Sequence, residues 1–416
     1  MSAEVLLSEG VAAKFMRYVQ VDTTSAEDSA EVPSTPGQWE LARMLADELM
    51  QLGLIDVRVD EHCFVIGRLP SNMDQAAPAV GFVAHMDTVP GVPGRGVTPK
   101  AHASYQGGDI SIGHGVVLSP KESPGLARAL GCDIITSDGS TLLGADDKAG
   151  VAEIMQALVE LIQNPDIRRP DVWVAFTPDE ETGRGVERFP YAKFGAKFAY
   201  TLDGGVLGEL SEETFNALNG VVTIEGVSAH TGTARGKMVN ALHLAAQLIS
   251  WIPSYCRPET TSGREGFIHP NDIQGNVEKI SIKFLIRDFD SEMLETRQAT
   301  FMKMLELLEA SYPGSRIRFT PSGGYRNMKE RLDTDPRVTA FAIRAMELAG
   351  LTPVVQPIRG GTDGARMTFE GVLTPNLFTG AGDVHSRREW ACVQWMNDAV
   401  NVVINLVRLW AEQSNA

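Results

Sequence analysis

The sequence predicts an α/β fold, with a mixed sheet covered by helices and interrupted by a smaller α+β domain. Three observations carry that expectation. Strand-like and helix-spaced apolar segments alternate through the first half of the chain. From about Glu213 the alternation takes a different order, and the final third returns to the first rhythm. At 416 residues the chain also has room for two domains, or for one large domain carrying an insertion. The expected boundaries are 1–213 together with 326–416 for the larger, discontinuous domain, and 214–325 for the insertion.

The elements follow in order. Leu41, Leu45, Leu49 and Leu52 sit at helical spacing. Short apolar runs at 80–84, 172–176 and 198–202 are each bounded by Pro, Gly or charge and read as buried strands. Between them, residues 91–140 are rich in Gly, Pro and Ser and read as an elaborated surface excursion. Val151, Ile154, Met155, Leu158, Leu161 and Ile162 form the apolar stripe of an amphipathic helix. In the insertion, strands at 221–225, 277–288 and 316–320 alternate with helices at 238–252 and 291–311. A helix at 335–349, a strand at 376–379 and a helix at 393–410 close the chain.

Composition narrows the function. Hydrophobic residues make up 43% and charged residues 22%, an ordinary globular balance. No apolar run approaches the roughly 18 residues of a membrane span. The first residues, MSAEVLLSEGVAAKFMRYVQVD, lack the apolar core of a signal peptide. A net charge of −16 repels phosphate backbones and argues against nucleic acid as a partner. Cys63, Cys132, Cys256 and Cys392 stand far apart without a CxxC pair, so they read as free thiols of a reducing compartment, the cytoplasm.

The chemistry gathers at segment ends. His85 and Asp87 close a strand two residues apart, so both side chains project to one side. His85 is either a hydrogen-bonded loop histidine or a metal ligand oriented by Asp87. Asp146 and Asp147 open the amphipathic helix, where one capping acid would suffice, and the excess favours a metal carboxylate over a cap. Asp179, Glu180 and Glu181 follow the strand at 172–176, and three adjacent carboxylates either spread into solvent or are held by a cation. Asp203 precedes a glycine turn, and Asp383 and His385 follow the strand at 376–379. Mixed imidazole and carboxylate donors suit zinc, cobalt or manganese rather than calcium. Such a set exceeds what one catalytic zinc needs, which points to a carboxylate-bridged pair. No Gly-x-Ser-x-Gly elbow competes for the nucleophile.

The motif series AHMDTVP, TLLGADDKAG, PDEETGRG, YTLDGG, PIRGGTDGARMTFEG and PNLFTG resembles the peptidase T family of tripeptide aminopeptidases, and so does the excursion QGGDISIG…LSP. That family is a branch of the dimetal peptidases and amidohydrolases, and the likeness runs in order over almost the whole chain. The resemblance implies release of the N-terminal residue from tripeptides, with two divalent ions, zinc foremost and cobalt or manganese as alternatives. It implies that Asp146 bridges them, that His85 and Asp203 complete one metal, and that Glu181 and His385 complete the other. Glu180 would be the general base and Asp87 the orienter of His85. The insertion would be a lid or dimerisation domain, which leaves a homodimer open, and its His230 would stabilise the oxyanion. Arg287 and Arg359 are candidates to grip the substrate's C-terminal carboxylate, with a salt bridge as the alternative for each. Thr362 and Asp363 read as a helix cap. Two departures from the family pattern are Thr231 after the lid histidine and Ser386 after His385. The rival readings are an N-acyl amino-acid amidohydrolase, a carboxypeptidase, or a non-catalytic binding protein that kept the fold.

Overall fold

A computed structural model describes residues 3–413, which divide into two compact units. The first runs to Glu212 and includes Glu330–Gln356 and the residues from Thr362 on; the second is Glu213–Lys329 with Pro357–Gly361. The segment 357–361 thus belongs with the insertion, where the sequence placed it in the larger domain. Hydrogen bonds supply the reason. Ile358 N–H donates to the Glu213 carbonyl at 2.8 Å, and the Arg359 guanidinium donates to the Gly263 and Glu265 carbonyls at 2.7 and 2.9 Å.

The first unit is organised on an eight-stranded sheet. Its order is Ile55–Val59, Val65–Leu69, Val172–Thr177, Val80–His85, Phe198–Gly204, Asn376–Phe378, Glu209–Ser211 and Val354–Val355. The four central strands, from Val172–Thr177 to Asn376–Phe378, are mutually parallel. Antiparallel neighbours flank them on both sides and make the sheet mixed. All of Val80–His85 is buried, as a strand covered on both faces must be. The helix Ala145–Gln163 packs on this strand and is covered in turn by Val11–Tyr18 and Val393–Ala411. That second cover explains why Ala149, Ala152 and Val159, outside the expected stripe, are buried as well.

The excursion at 91–140 is more ordered than its composition suggested. Lys100–His102 and Ile134–Thr136 join Trp390–Cys392 and Ala381–Gly382 in a four-stranded sheet, and Ile110–Gly113 pairs with Val116–Leu118 as a hairpin. Tyr105, Ile112, Leu118, Leu126, Ile134 and Trp390 form a separate small core beneath it.

The second unit is a four-stranded antiparallel sheet with the helices Ala241–Trp251 and Ser291–Ser311 packed on it. Val222, Ile224, Ile280, Ile282 and Phe284 meet Leu244, Leu248, Phe301, Leu305 and Leu308 in one core. The first helix begins at Ala241, three residues later than periodicity indicated, because Asn240 caps it by accepting from Leu242 N–H at 2.9 Å. The edge strand Phe267–Gly275 has no signal in the sequence because Pro270 interrupts it. Proline fits there because the register shifts between Pro270 and Asp272 and the strand lies at an edge.

Candidate metal centre

Parallel strands end on a common edge, so residues at their carboxyl ends are brought together whatever their separation in sequence. His85 is the last residue of its strand and pairs in register with Thr177, after which the chain turns through Asp179, Glu180 and Glu181. Asp203 lies near the end of Phe198–Gly204, and His385 sits on the loop beyond Asn376–Phe378. Asp146 opens the helix Ala145–Gln163 with non-helical dihedrals at both Asp146 and Asp147, so the two adjacent carboxylates take up different partners.

Asp146 lies between the two histidines. Its Oδ1 is 2.9 Å from His85 Nε2 and its Oδ2 is 3.1 Å from His385 Nε2. His385 Nε2 is also 2.8 Å from Glu181 Oε1, and His85 Nε2 is 3.7 Å from Asp203 Oδ1. Donor atoms of His85, Asp146 and Glu181 lie within 4.8 Å of one another, as do those of His85, Asp147 and Asp203. Glu181 Oε1 is buried without a hydrogen bond, although an imidazole nitrogen stands beside it. A short nitrogen–oxygen approach without hydrogen-bond alignment suits two donors facing one cation, and the donor set matches zinc-type ions.

Supporting groups fix these donors. The buried Asp87 accepts from Glu180 N–H at 2.9 Å through Oδ1 and from Glu181 N–H at 3.2 Å through Oδ2. Its Oδ1 is 3.3 Å from His85 Nδ1, and its carbonyl oxygen is 3.0 Å from the same nitrogen. Asp147, which the sequence reading did not count as a donor, accepts from the His85 backbone N–H at 3.1 Å. Asp179 turns away from its two glutamate neighbours. It is fully buried and accepts from Ser34 N–H at 2.7 Å and Gln38 Nε2 at 2.8 Å.

The electrostatics follow from crowding acids in a desolvated space. Burial pushes Glu180 well above the usual carboxyl range, with Asp203 adding to the effect, and lifts Asp203 itself to about 6. Burial also raises Glu181. It works on Asp146 in the same sense, but His385 and His85 reverse the effect and hold that carboxylate below its ordinary range. Asp146 and Glu181 lift His385 to about 10. One carboxylate kept ionised between two histidines, among acids that resist ionisation, is an arrangement that divalent cations would relieve.

His230, Arg287 and Arg359 lie in the second unit. His230 is exposed, and its Nδ1 accepts from Gly232 N–H at 3.2 Å. Arg287 lies over the Tyr325 ring at 5.5 Å and donates to the Ile286 carbonyl at 3.0 Å. Arg359 stacks over Phe215 at 5.1 Å while its Nη atoms hold Thr261, Gly263 and Glu265. In the first unit, Thr362 caps Asp363–Phe369 through the Ala365 N–H, and the buried Asp363 accepts from Thr177 Oγ1 at 2.8 Å. Ser386 closes its own turn. Its Oγ donates to the Asp383 carbonyl at 2.7 Å, and left-handed dihedrals fall on Asp383 and His385 instead, so glycine is not required after the histidine.

Residues 213–316 match the peptidase dimerisation domain family. The chain is 45% identical over 404 residues to peptidase T of Geobacillus kaustophilus, an alignment covering 97% of this chain and 98% of the relative. It is 46% identical over 400 residues to peptidase T of Clostridium perfringens, covering 96% and 98%. The crystal structure of aminopeptidase PepT from Bacillus cereus superposes with a TM-score of 0.76 at 25% identity, covering 97% of this chain and 98% of that one.

Proposed function

The chain belongs to the peptidase T family, and from that membership and the geometry of the centre we propose that it is a dimetal aminopeptidase releasing the N-terminal residue of tripeptides. One observation supports the reading above the rest: the two oxygens of Asp146 each face a different histidine. In this reading His85 and Asp203 complete one metal position, and Glu181 and His385 complete the other. When bound, two divalent ions, zinc foremost, supply a lowered water pKa and a polarised scissile carbonyl.

The chain's own residues do the rest. Glu180 takes the proton of the attacking water and passes it to the leaving amine. Burial suits it to this task, since a carboxylate raised toward neutrality is a stronger base. Asp87 holds both ends of the apparatus, the His85 ring and the backbone of Glu180 and Glu181. His230 donates to the carbonyl oxygen as it gains charge. Arg287 and Arg359 receive the substrate's C-terminal carboxylate. Both are already engaged, Arg359 with the 261–265 loop and Arg287 with the Leu218 and Ile286 carbonyls, so either would exchange a backbone acceptor for the substrate's carboxylate. The dimerisation-domain match of residues 213–316 supports a homodimer, and four free thiols, with Cys132 and Cys392 brought together by the fold yet unbonded, suit the cytoplasm.

The test is a digestion panel of di-, tri- and tetrapeptides, N-acetylated tripeptides and N-acyl amino acids, with metal supplied and products read by mass spectrometry. Release of the N-terminal residue from free tripeptides, with the N-acetylated forms turned over poorly, is the expected result. Faster cleavage of N-acyl amino acids would move the protein to the amidohydrolase reading.

A further inference from the structure

Glu389 is 1% exposed and takes no part in the mechanism above, yet its carboxylate is fully engaged. Oε2 accepts from Leu143 N–H at 2.8 Å and Gly144 N–H at 2.7 Å, and Oε1 accepts from Asp146 N–H at 3.0 Å. These are the backbone donors of the turn that delivers Asp146. Glu389 itself ends the short turn that begins after His385, where its own N–H donates to the Ser386 carbonyl at 3.3 Å. From behind, Trp390 is fixed in the small core, and its Nε1 donates to Ser123 Oγ at 3.1 Å.

We infer that Glu389 is a positioning residue for the metal pair, clamping the Asp146 turn to the loop that carries His385. This rests on the reading of the centre given above. The clamp joins two donors far apart in sequence, and their separation decides whether the two Asp146 oxygens can each meet a histidine. Two oxygens serving three N–H groups is a task only a carboxylate performs there. In Glu389→Gln the amide nitrogen would face at least one of those donors and leave it unsatisfied.

The test is equilibrium titration of metal-free protein with Co²⁺, read as affinity, stoichiometry and the visible cobalt spectrum, alongside melting of the metal-free form. Glu389→Gln is expected to weaken Co²⁺ binding by about 10- to 100-fold and to alter the cobalt spectrum at saturation. Glu389→Asp keeps the charge and should fall between the two, and it carries the comparison if the glutamine variant does not fold. Glu48→Gln is the control. Glu48 is another buried acid, bonded to the Tyr18 hydroxyl at 2.6 Å, and its loss should lower the melting temperature without changing Co²⁺ affinity. Co²⁺ affinity within twofold of wild type in the folded Glu389 variants overturns the inference. Failure of the wild type to bind two Co²⁺ removes the dimetal reading itself, so the two failures are told apart by the wild-type titration.

Discussion

Asp87→Asn is the substitution that most loads the account, because one buried carboxylate holds three groups of the centre. Wild-type Asp87 accepts from Glu180 N–H at 2.9 Å and Glu181 N–H at 3.2 Å, and lies 3.3 Å from His85 Nδ1. Asparagine keeps the volume but has one acceptor oxygen, and its NH₂ would abut a backbone N–H. Losing a hydrogen bond to a charged acceptor costs about 1.5–3 kcal/mol, and the stranded N–H about 1–3 kcal/mol more. The imidazole of His85 also loses its orienting charge, which corresponds to roughly 10- to 100-fold in metal affinity. Circular dichroism melts of the metal-free protein measure the first effect, and Co²⁺ titration measures the second. Tripeptide kcat at saturating metal should also drop by more than about tenfold, since Glu180, the proposed base, would be misplaced. A variant that melts lower but binds Co²⁺ within twofold of wild type would make Asp87 a packing residue and refute the reasoning.

Four further outcomes follow. Glu180→Gln should keep both metals while tripeptide kcat falls by a factor on the order of 10² to 10⁴; near-normal kcat at full occupancy would remove it as the base. His230→Ala should keep its metals and melting temperature but lose about 3 kcal/mol of transition-state stabilisation, seen in kcat more than KM. A kcat within about threefold of wild type would return His230 to an ordinary surface histidine. Arg287→Lys should raise KM for tripeptides more than for their C-terminal amides, because the amide offers no carboxylate to the fork; equal effects on both would exclude that contact. Glu153→Gln tests linkage away from the centre. Glu153 is fully buried, and burial raises it well above its ordinary value. Folding therefore favours its protonated form, and wild-type stability falls as pH rises above the unfolded value of about 4.3. The glutamine variant lacks that loss, so its melting temperature relative to wild type should climb between pH 5 and 8, each set as an assay condition; a constant difference would contradict it.

The central strands could be read from the sequence because burial on both faces leaves a continuous apolar run, as at Val80–His85. Their adjacency then brought His85, Glu181, Asp203 and His385 near Asp146, which the chemistry of the residue types had already suggested. What could not be read depended on long-range pairing. Lys100–His102 and Ile134–Thr136 are too short to signal strands, and they gain their order from Trp390–Cys392 far along the chain. The segment 357–361 carries no mark of the second unit until Ile358 meets Glu213. Asp147 and Glu389 act through backbone N–H groups, which have no residue signature. Asp179 could be partly suspected, since three adjacent acids cannot all serve one centre, but its partner Ser34 could not.

The central claim is that Asp146 joins two metal positions, and metal counting on Asp146→Ala tests it most directly. Wild-type and variant protein, stripped with chelator and re-equilibrated with Zn²⁺ or Co²⁺, would be measured by inductively coupled plasma mass spectrometry beside a melt to show that both are folded. The account predicts two ions per chain in the wild type and loss of both in the variant, because each Asp146 oxygen faces a different histidine at 2.9 and 3.1 Å. A folded Asp146→Ala protein that still holds two ions with wild-type affinity would contradict it.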